Sequence, residues 1–418
     1  MCGVYGEVIL AGDERPDRDV VRAMGQAIVH RGPDYDGLYI DEQVAIGLRR
    51  LSIIDLEGGH QPIQNEDGSV VVVCNGEIYN YRELRQQMLE RGHRFRTNSD
   101  VEVIVHLYEE HGDDFVSHLR GMFGFALWDR RRKRLLLGRD RLGIKPLYYA
   151  TLGRRIAFSS ESKSIRCRAD HTVELDDTAL RQYLLLGYVP APFSMLAGIR
   201  KLQPGSVLVV EGGVATERRY WQFAIEPDRG PDESEWVDAI RTALRESVEA
   251  QMVSDVPIGA FLSGGIDSST IVAAMTRSSP GAVKTYAIGY SGFPGAELYN
   301  ELDHARAIAT RFRTDHHEIK VRPEVVGLLP RLIWHMDEPT ADTALVTSNL
   351  VSEFARRDVK VILSGVGGDE LFGGYDRYRL PHVTGLVRRI PGILREGVVN
   401  PVLARVPVAR HHWLLNIL

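Results

Sequence analysis

The chain is poor in cysteine, and it lacks both a charge excess and a long apolar run. Each shortage narrows its class. Cys2, Cys74 and Cys167 are its three cysteines in 418 residues. They are odd in number, far apart and without a CxxC pair, so neither a disulfide framework nor a zinc knuckle is expected. Lys and Arg total 51 against 56 Asp and Glu, a net charge of −5. That balance argues against a nucleic-acid partner or an anionic membrane surface. The N-terminus lacks the basic stretch and apolar core of a secretory signal. No apolar run approaches the roughly 20 residues of a membrane span; the apolar tail "PVLARVPVARHHWLLNIL" is broken by Arg405, Pro407 and Arg410. Two phosphate fingerprints are missing as well: no Gly-Lys-Ser/Thr closes a Walker loop, and no G-x-G-x-x-G opens a dinucleotide site. What remains is the expectation of a cytoplasmic globular protein of ordinary composition, 44% hydrophobic and 26% charged. Its length predicts two or three domains.

The two halves follow different grammars. In the first, "VVVVCNGEIYN" reads as a strand running into a turn, and "FGFALWDRRRKRLLLGRD" as a hairpin with a solvated charged tip. "PLYYATLGRRIAFSS" repeats the hairpin around Gly153, while "YRELRQQMLERGH" and "VEVIVHLYEEHGDDFVSHL" carry helical periods. Hairpins with separate helices predict antiparallel sheets. The charged linker "IEPDRGPDESE" leads into alternating helix and strand. "WVDAIRTALRESVEAQM" puts Val237, Ile240, Leu244 and Val248 on one helical face, and "PIGAFLS", "SSTIVAAMTR", "VKTYAIGY", "ELDHARAIATRF", "HHEIKV", "VSEFARRD" and "VKVILSG" alternate after it. Such alternation predicts parallel strands with right-handed crossovers.

Two features bear chemistry. The chain opens "MCGVYGEVIL". With Met1 removed, Cys2 joins a nucleophilic thiol to a free α-amino group of reference pKa about 7.7–8.0, partly neutral near pH 7 and able to act as base. On those ten residues alone, chance is the competing reading. The second feature is "FLSGGIDSST", a strand, a glycine turn and a helix start. Glycines let backbone amides approach an anion, and the helix N-terminus adds donors and positive dipole. Ser268 and Ser269 are candidates to cap the helix and to reach phosphate oxygens. A plain Gly-Gly turn with a serine cap is the alternative. "VILSGVGGDELFGGY" is a second glycine loop. Two such loops at the C-terminal edge of a parallel sheet can face each other across a nucleotide. Asp267 and Asp369 would then present carboxylates to Mg²⁺; solvated loop acids are the alternative.

With these blocks in view, the chain resembles the glutamine-dependent asparagine synthetase family. The match runs through "MCGVYG", "HRGPD", "RRLSIIDL", "CNGEIYNYREL", "NSDVEVI", "GMFGFALWD", "GRDRLGIKPLYY", "SSESKS", "SDVPIGAFLSGGIDSS" and "SGVGGDELFGGY", nearly all of residues 1–380. The resemblance implies an α+β N-terminal-nucleophile sandwich, with antiparallel sheets between helices, over 1–215. It implies an α/β open parallel sheet of adenine-nucleotide-hydrolase type over 230–418, C-terminally incomplete. By resemblance Cys2 is the glutaminase nucleophile. Asn75 and Gly76 form the oxyanion hole, Arg50 clamps the glutamine α-carboxylate, and Glu77 and Asp100 hold its α-amino group. Leu51, Ser52, Ile53 and Ile54 complete the glutamine site. Leu262, Ile288, Ser364 and Gly365 line adenosine, and Ser263, Gly264, Gly265, Asp267 and Ser268 cradle pyrophosphate. ATP is a substrate and Mg²⁺ the metal, at Asp267 and Asp369. Aspartate, activated as β-aspartyl-AMP, receives ammonia from glutamine. A homodimer is one option for assembly.

Cys74 reads as a core thiol, Cys167 as a thiol without partners, and His30 as structural. Two departures from the family pattern stand out. Val366 occupies a loop position where the family often has glutamate. The family also usually continues past Leu418 with a helical region that supplies a catalytic lysine and arginine. No aspartate-binding arginine is evident near the acidic "DEPTADTAL". The expectation from these departures is a chain that binds ATP and hydrolyses glutamine but makes little asparagine. The alternatives are an amidotransferase acting on another carboxylate, such as a cell-surface sugar acid or a peptide, and a glutaminase or nucleotide-binding regulator without synthetase activity.

Overall fold

Residues 1–168, 173–227, 230–292, 300–322, 325–342, 344–375 and 378 are described in the computed structural model; the apolar tail from residue 401 lies outside them. The strands of the first half are β1 (Gly3–Ile9), β2 (Tyr35–Ile40), β3 (Val44–Arg50), β4 (Ile63–Gln64), β5 (Val70–Ile78), β6 (Gly121–Asp129), β7 (Arg134–Arg139), β8 (Tyr148–Leu152), β9 (Arg155–Ser159), β10 (Ile199–Lys201), β11 (Ser206–Glu211) and β12 (Val214–Arg219). They form two six-stranded sheets, ordered β10-β8-β9-β1-β3-β2 and β12-β11-β7-β6-β5-β4. Pairing is antiparallel, with Gly3 opposite Arg49 and Asn75 opposite Gly124.

Side-chain alternation explains the layers. On β5, Val71 and Val73 join Val4, Ile46, Trp128, Leu137 and Phe158 in a core between the two sheets. Val70, Val72 and Cys74 point the other way, against α2 (Tyr81–Glu90) and α3 (Val103–His111), through Leu84, Met88, Ile104 and Leu107. A strand buried on both faces reads as continuous apolar sequence, which is why "VVVVC" has no polar alternation. The outer face of the other sheet is covered by α1 (Arg18–Ala27) through Val21, Met24 and Ile28. The result is helix, sheet, sheet, helix, with Cys74 a core thiol at 1% exposure.

The remaining elements include α4 (Ser162–Ile165), α5 (Asp177–Leu186), α6 (Glu233–Gln251), β13 (Ile258–Phe261), α7 (Ile266–Ser278), β14 (Lys284–Tyr290), α8 (Leu302–Phe312), β15 (Asp315–Val321), α9 (Val325–Met336), α10 (Ala344–Ala355), β16 (Val361–Leu363) and α11 (Gly368–Phe372). The third sheet is ordered β15-β14-β13-β16. Its strands are parallel, because starts bond to starts and ends to ends. Asp315 N–H donates to Val283, Ser291 N–H to Val321, and Lys360 N–H to Pro257. A helix in each crossover completes the α/β pattern. By compactness the chain divides into one unit of 1–259, 288–300 and 319–361 and a second of 260–287, 301–318 and 362–418. Among the described residues no helix is long and apolar enough to cross a membrane.

Four expectations are corrected. The "DRRRKR" turn does cap the β6–β7 hairpin, but Arg134 is buried in a two-pronged pair with Asp113, at 2.5 and 2.6 Å, rather than solvated. Cys167 is not without partners; its Sγ donates to the carbonyls of Ala23 at 3.6 Å and Lys163 at 3.8 Å. The apolar stripe of α6 is mostly uncovered: Val237 and Ile240 are exposed and Val248 is buried. Helix α7 starts at Ile266, with Gly265 as its N-cap and no side-chain cap, so Ser268 and Ser269 do not cap it.

Candidate functional site

Cys2 precedes β1, and β3 runs beside that strand and delivers the loop Leu51–Leu56 to the thiol. Leu51 N–H donates to Cys2 Sγ at 3.3 Å, and Arg31 Nε donates to the Cys2 carbonyl at 2.8 Å. Burial raises the Cys2 thiol above its ordinary value, while the Leu51 N–H works against that rise. Burial draws the Met1 amine down to about 6. A buried thiol of raised pKa needs a base to become nucleophilic at neutral pH.

The loop after β3 is stapled by one side chain. Arg50 is 4% exposed and donates to the carbonyls of Ile54 (2.8 Å), Asp55 (2.8 Å) and Leu56 (3.2 Å). These bonds account for three of the five guanidinium N–H donors. Arg50 is thus first a loop staple, with two donors left for a ligand carboxylate. Ser52 N–H donates to Asp34 Oδ2 at 2.9 Å, and Ile53 accepts from Asp255 N–H at 3.0 Å. Asp55, at φ 51°, ties in Asn98 N–H at 2.7 Å.

The end of β5 supplies the polar floor. Asn75 is 1% exposed, and its Nδ2 has no hydrogen-bond partner among the described residues. A buried donor left unsatisfied is costly unless a ligand completes it. A Cβ on Gly76 would stand 2.3 Å from the Met122 carbonyl, so glycine is needed where β5 and β6 close up. Asp100 is 4% exposed and accepts from Ile78 N–H at 2.7 Å. Burial pushes its carboxyl up to about 6, and burial together with Asp100 pushes Glu77 up. Two carboxylates in one dry region resist ionising together and invite a cation. One protein cation is already there: Lys145, 6% exposed, held below its ordinary pKa by burial and acted on by Glu77 and the Cys2 thiol. Neither Lys145 nor Arg31 was singled out from the sequence; each lay inside a matched block ("GRDRLGIKPLYY", "HRGPD") with no signal of its burial. His30 has a structural setting, its Nε2 3.1 Å from Glu161 Oε1.

The second unit holds the two glycine loops. After β13, Leu262 is buried, Gly264 takes φ 87° and Ser268 is 8% exposed. Ser268 Oγ accepts from Ser263 N–H at 3.3 Å, lies 3.0 Å from Ser263 Oγ and donates to the Gly265 carbonyl at 3.3 Å. These bonds bend the loop back on itself and hold the helix start open. The loop after β16 packs directly on it. A Cβ on Gly365 would lie 2.6 Å from Ser268 N, and one on Gly368 would lie 2.3 Å from Asp267 Oδ2. A Cβ on Gly374 would meet Asp369 Oδ1 at 1.9 Å. The predicted set Ser263, Gly264, Gly265, Asp267, Ser268, Ser364, Gly365 and Asp369 therefore belongs to one unit. Ile288, half-buried on β14, belongs to the other.

The comparisons with known proteins fall on this layout. Residues 1–221 match the glutamine amidotransferase domain, and residues 239–414 match asparagine synthase. Asparagine synthetase 1 (glutamine-hydrolysing) of Bacillus subtilis strain 168 is 40% identical over 405 residues, covering 96% of this chain and 63% of that protein. A Methanocaldococcus jannaschii protein, provisionally named asparagine synthetase 2 (glutamine-hydrolysing), is 35% identical, covering 94% of this chain and 79% of its own length. The chain belongs to the glutamine-hydrolysing asparagine synthetase family. It spans somewhat under two thirds of the length of the Bacillus relative.

Within that family setting, the acids of "DEPTADTAL" have structural partners. Asp337 accepts from Lys163 N–H at 3.1 Å and from Ser162 N–H, and Glu338 accepts from Met195 N–H at 3.0 Å and pairs with Lys201. Lys163 and Lys201 thus stand beside two of its three acids, while Asp342 is exposed and accepts from Ala344 N–H at 2.8 Å. Val366 is 90% exposed at the tip of the second glycine loop.

Proposed function

We propose that the chain hydrolyses glutamine at Cys2 and uses the ammonia to amidate a carboxylate that ATP has activated, with aspartate as the acceptor and asparagine, AMP and pyrophosphate as products. The observation that carries the glutaminase half is the unpartnered Asn75 Nδ2 on the stretch of β5 where Cys74 and Glu77 feel the Cys2 thiol. On this reading, residues 1–215 are the glutaminase domain and 230–418 the synthetase domain. Removal of Met1 frees the Cys2 amine. That amine takes the thiol proton, and the sulfur attacks the glutamine side-chain carbonyl carbon. Asn75 Nδ2 and Gly76 N–H stabilise the oxyanion. The amine returns its proton as ammonia leaves, and water then hydrolyses the thioester to glutamate. Arg50 receives the α-carboxylate with its two remaining donors, and the Leu51–Ile54 loop it staples closes around the side chain. Glu77 and Asp100 receive the α-ammonium, the cation their shared burial calls for.

In the synthetase half, Ser263 to Ser268 cradle the phosphates, while Leu262, Ser364 and Gly365 line adenosine. Asp267 and Asp369 fit Mg²⁺ in donor type, two carboxylates on glycine-packed loops, and the ion would offset phosphate charge. A cytoplasmic location and a homodimer belong to the same proposal.

The test is incubation with amide-¹⁵N-glutamine, ATP, Mg²⁺ and aspartate, followed by mass spectrometry. Glutamate release is expected, with asparagine the acceptor that carries the ¹⁵N, in low yield from this chain. Absence of glutamate release overturns the glutaminase assignment. Label in a different acceptor, when sugar acids or peptides are supplied, favours the second reading, which rests on the apolar Val366 at the loop tip.

A further inference from the structure

Four side chains in the amidotransferase half have no part in the proposed chemistry, yet they converge on one point. Glu66 lies in the turn between β4 and β5, His93 follows α2, and His106 and Glu109 sit one turn apart on α3, three residues apart and so on the same helical face. One ligand atom from each lies within 4.8 Å of all the others. His93 Nδ1 is 3.2 Å from Glu66 and 3.8 Å from Glu109. His106 Nδ1 is 3.3 Å from Glu66 and 3.5 Å from Glu109. A tetrahedron with metal–ligand bonds of about 2.0 Å has edges of about 3.3 Å, which suits the 3.3 and 3.5 Å from His106 Nδ1 to Glu66 Oε2 and Glu109 Oε2, with His93 Nδ1 3.8 Å from the same Glu109 oxygen. His93 Nδ1 is hydrogen-bonded to Glu66 Oε1, but the other three separations are long for hydrogen bonds. His106 is 0% exposed, and neither ring nitrogen has a hydrogen-bond partner among the described residues.

The outer groups are arranged to match. Glu109 Oε1 is held by Asn65 Nδ2 at 2.8 Å, which turns Oε2 inward. Glu66 Oε1 accepts from Arg94 N–H at 2.9 Å. The far nitrogen of His93 meets Glu110 Oε1 at 3.2 Å, and that of His106 faces Glu102 at 3.8 Å. Glu102 is itself fixed by the N–H groups of Arg96 and Thr97, both at 2.7 Å. A carboxylate behind each imidazole is the usual support of a metal-bound histidine.

We propose that Glu66, His93, His106 and Glu109 form a divalent transition-metal site, with Zn²⁺ the ion that a two-His, two-carboxylate tetrahedral set takes. All four positions are filled by protein, so the site is structural: it clips the β4–β5 turn, the α2–α3 connection and α3 together. Because α3 continues from the turn that carries Asp100, the clip also steadies that residue. The competing occupant is a proton on His106, whose carboxylate neighbours hold it up at about 9.

The experiment uses the whole chain, stripped with a chelator and titrated at pH 8 with Zn²⁺ against a chromophoric competitor, with metal content measured per chain. One Zn²⁺ per chain is expected. The Co²⁺ form is expected to show tetrahedral visible bands without thiolate charge transfer. Glu109→Gln keeps the size and the Asn65 bond, and His93→Gln removes a partly accessible ligand; each should weaken Zn²⁺ by roughly 10–100-fold or more. Zn²⁺ should raise the thermal midpoint of the parent chain and leave that of the variants unmoved. No stoichiometric Zn²⁺, unchanged affinity in both variants, or a thiolate signature in the Co²⁺ spectrum would each overturn the site. None of these readouts depends on glutamine hydrolysis, so failure here is distinct from failure of the proposed function.

Discussion

On the proposed function, the N-terminal site and the glycine-loop site have the same task, presenting donors to an anion, and meet it by different means. At Cys2 the donors are carried on sheet strands and a stapled loop, and four of the supporting groups are deeply buried: Arg50, Asn75, Asp100 and Lys145 are at most 6% exposed. At Ser263–Ser268 the donors are backbone amides on loops flanked by exposed Ile266 (85%) and Val366 (90%), and shape comes from glycines that admit Asp267 at close range. The lesson is about cost. Burial makes each polar group in the first site strongly dependent on its partners, so single substitutions there should be severe. The loop site relies on repeated backbone donors, and losing one side chain should matter less.

The largest effect is expected for Cys2→Ala, which should abolish glutamate release, a drop of at least about 10³-fold, while leaving ATP binding intact. Glutamine hydrolysis near the parent rate would break the comparison at its root. Asn75→Ala should lower kcat by roughly 10²–10³-fold with little change in KM, whereas Arg50→Leu should raise KM and, by freeing the Leu51–Leu56 loop, lower the melting temperature too. An Arg50→Leu protein with native stability would mean the staple is unimportant. Asp267→Asn should weaken ATP by on the order of tenfold, the scale of one charge-assisted contact, and only with Mg²⁺ present. Calorimetric titrations with and without the ion would decide it, and equal losses in both would remove Asp267 from the metal's neighbourhood.

The last effect concerns stability rather than activity, and it depends on pH. Asp100 has a folded pKa near 6 against a reference of 3.8. Its stability contribution is therefore fully present below about 3.8 and is lost as pH rises through about 6. Asp100→Asn should remove that loss, stabilising the chain by about 1–3 kcal/mol at pH 8 and by less at pH 5. A variant whose advantage over the parent is the same at both pH values would show that Asp100 carries no buried charge.

The sequence by itself determined where the apolar strands and hairpins lie and where the grammar shifts from antiparallel to parallel sheet, and it marked Cys2 and the glycine loops as candidates for chemistry. Apolar runs, hairpin turns and the Cys2 and glycine-loop motifs are local, and local pattern is visible in one dimension. Only the tertiary structure decided what those residues are bonded to. Arg50 as a loop staple, Arg134 buried against Asp113, Lys145 among the carboxylates, and the convergence of Glu66, His93, His106 and Glu109 all depend on pairing between distant segments. Cys167 finding carbonyl partners, and α6 leaving Val237 and Ile240 uncovered, have the same origin. A charged side chain has one meaning in water and another when removed from it, and whether it is removed depends on contacts that sequence spacing does not encode.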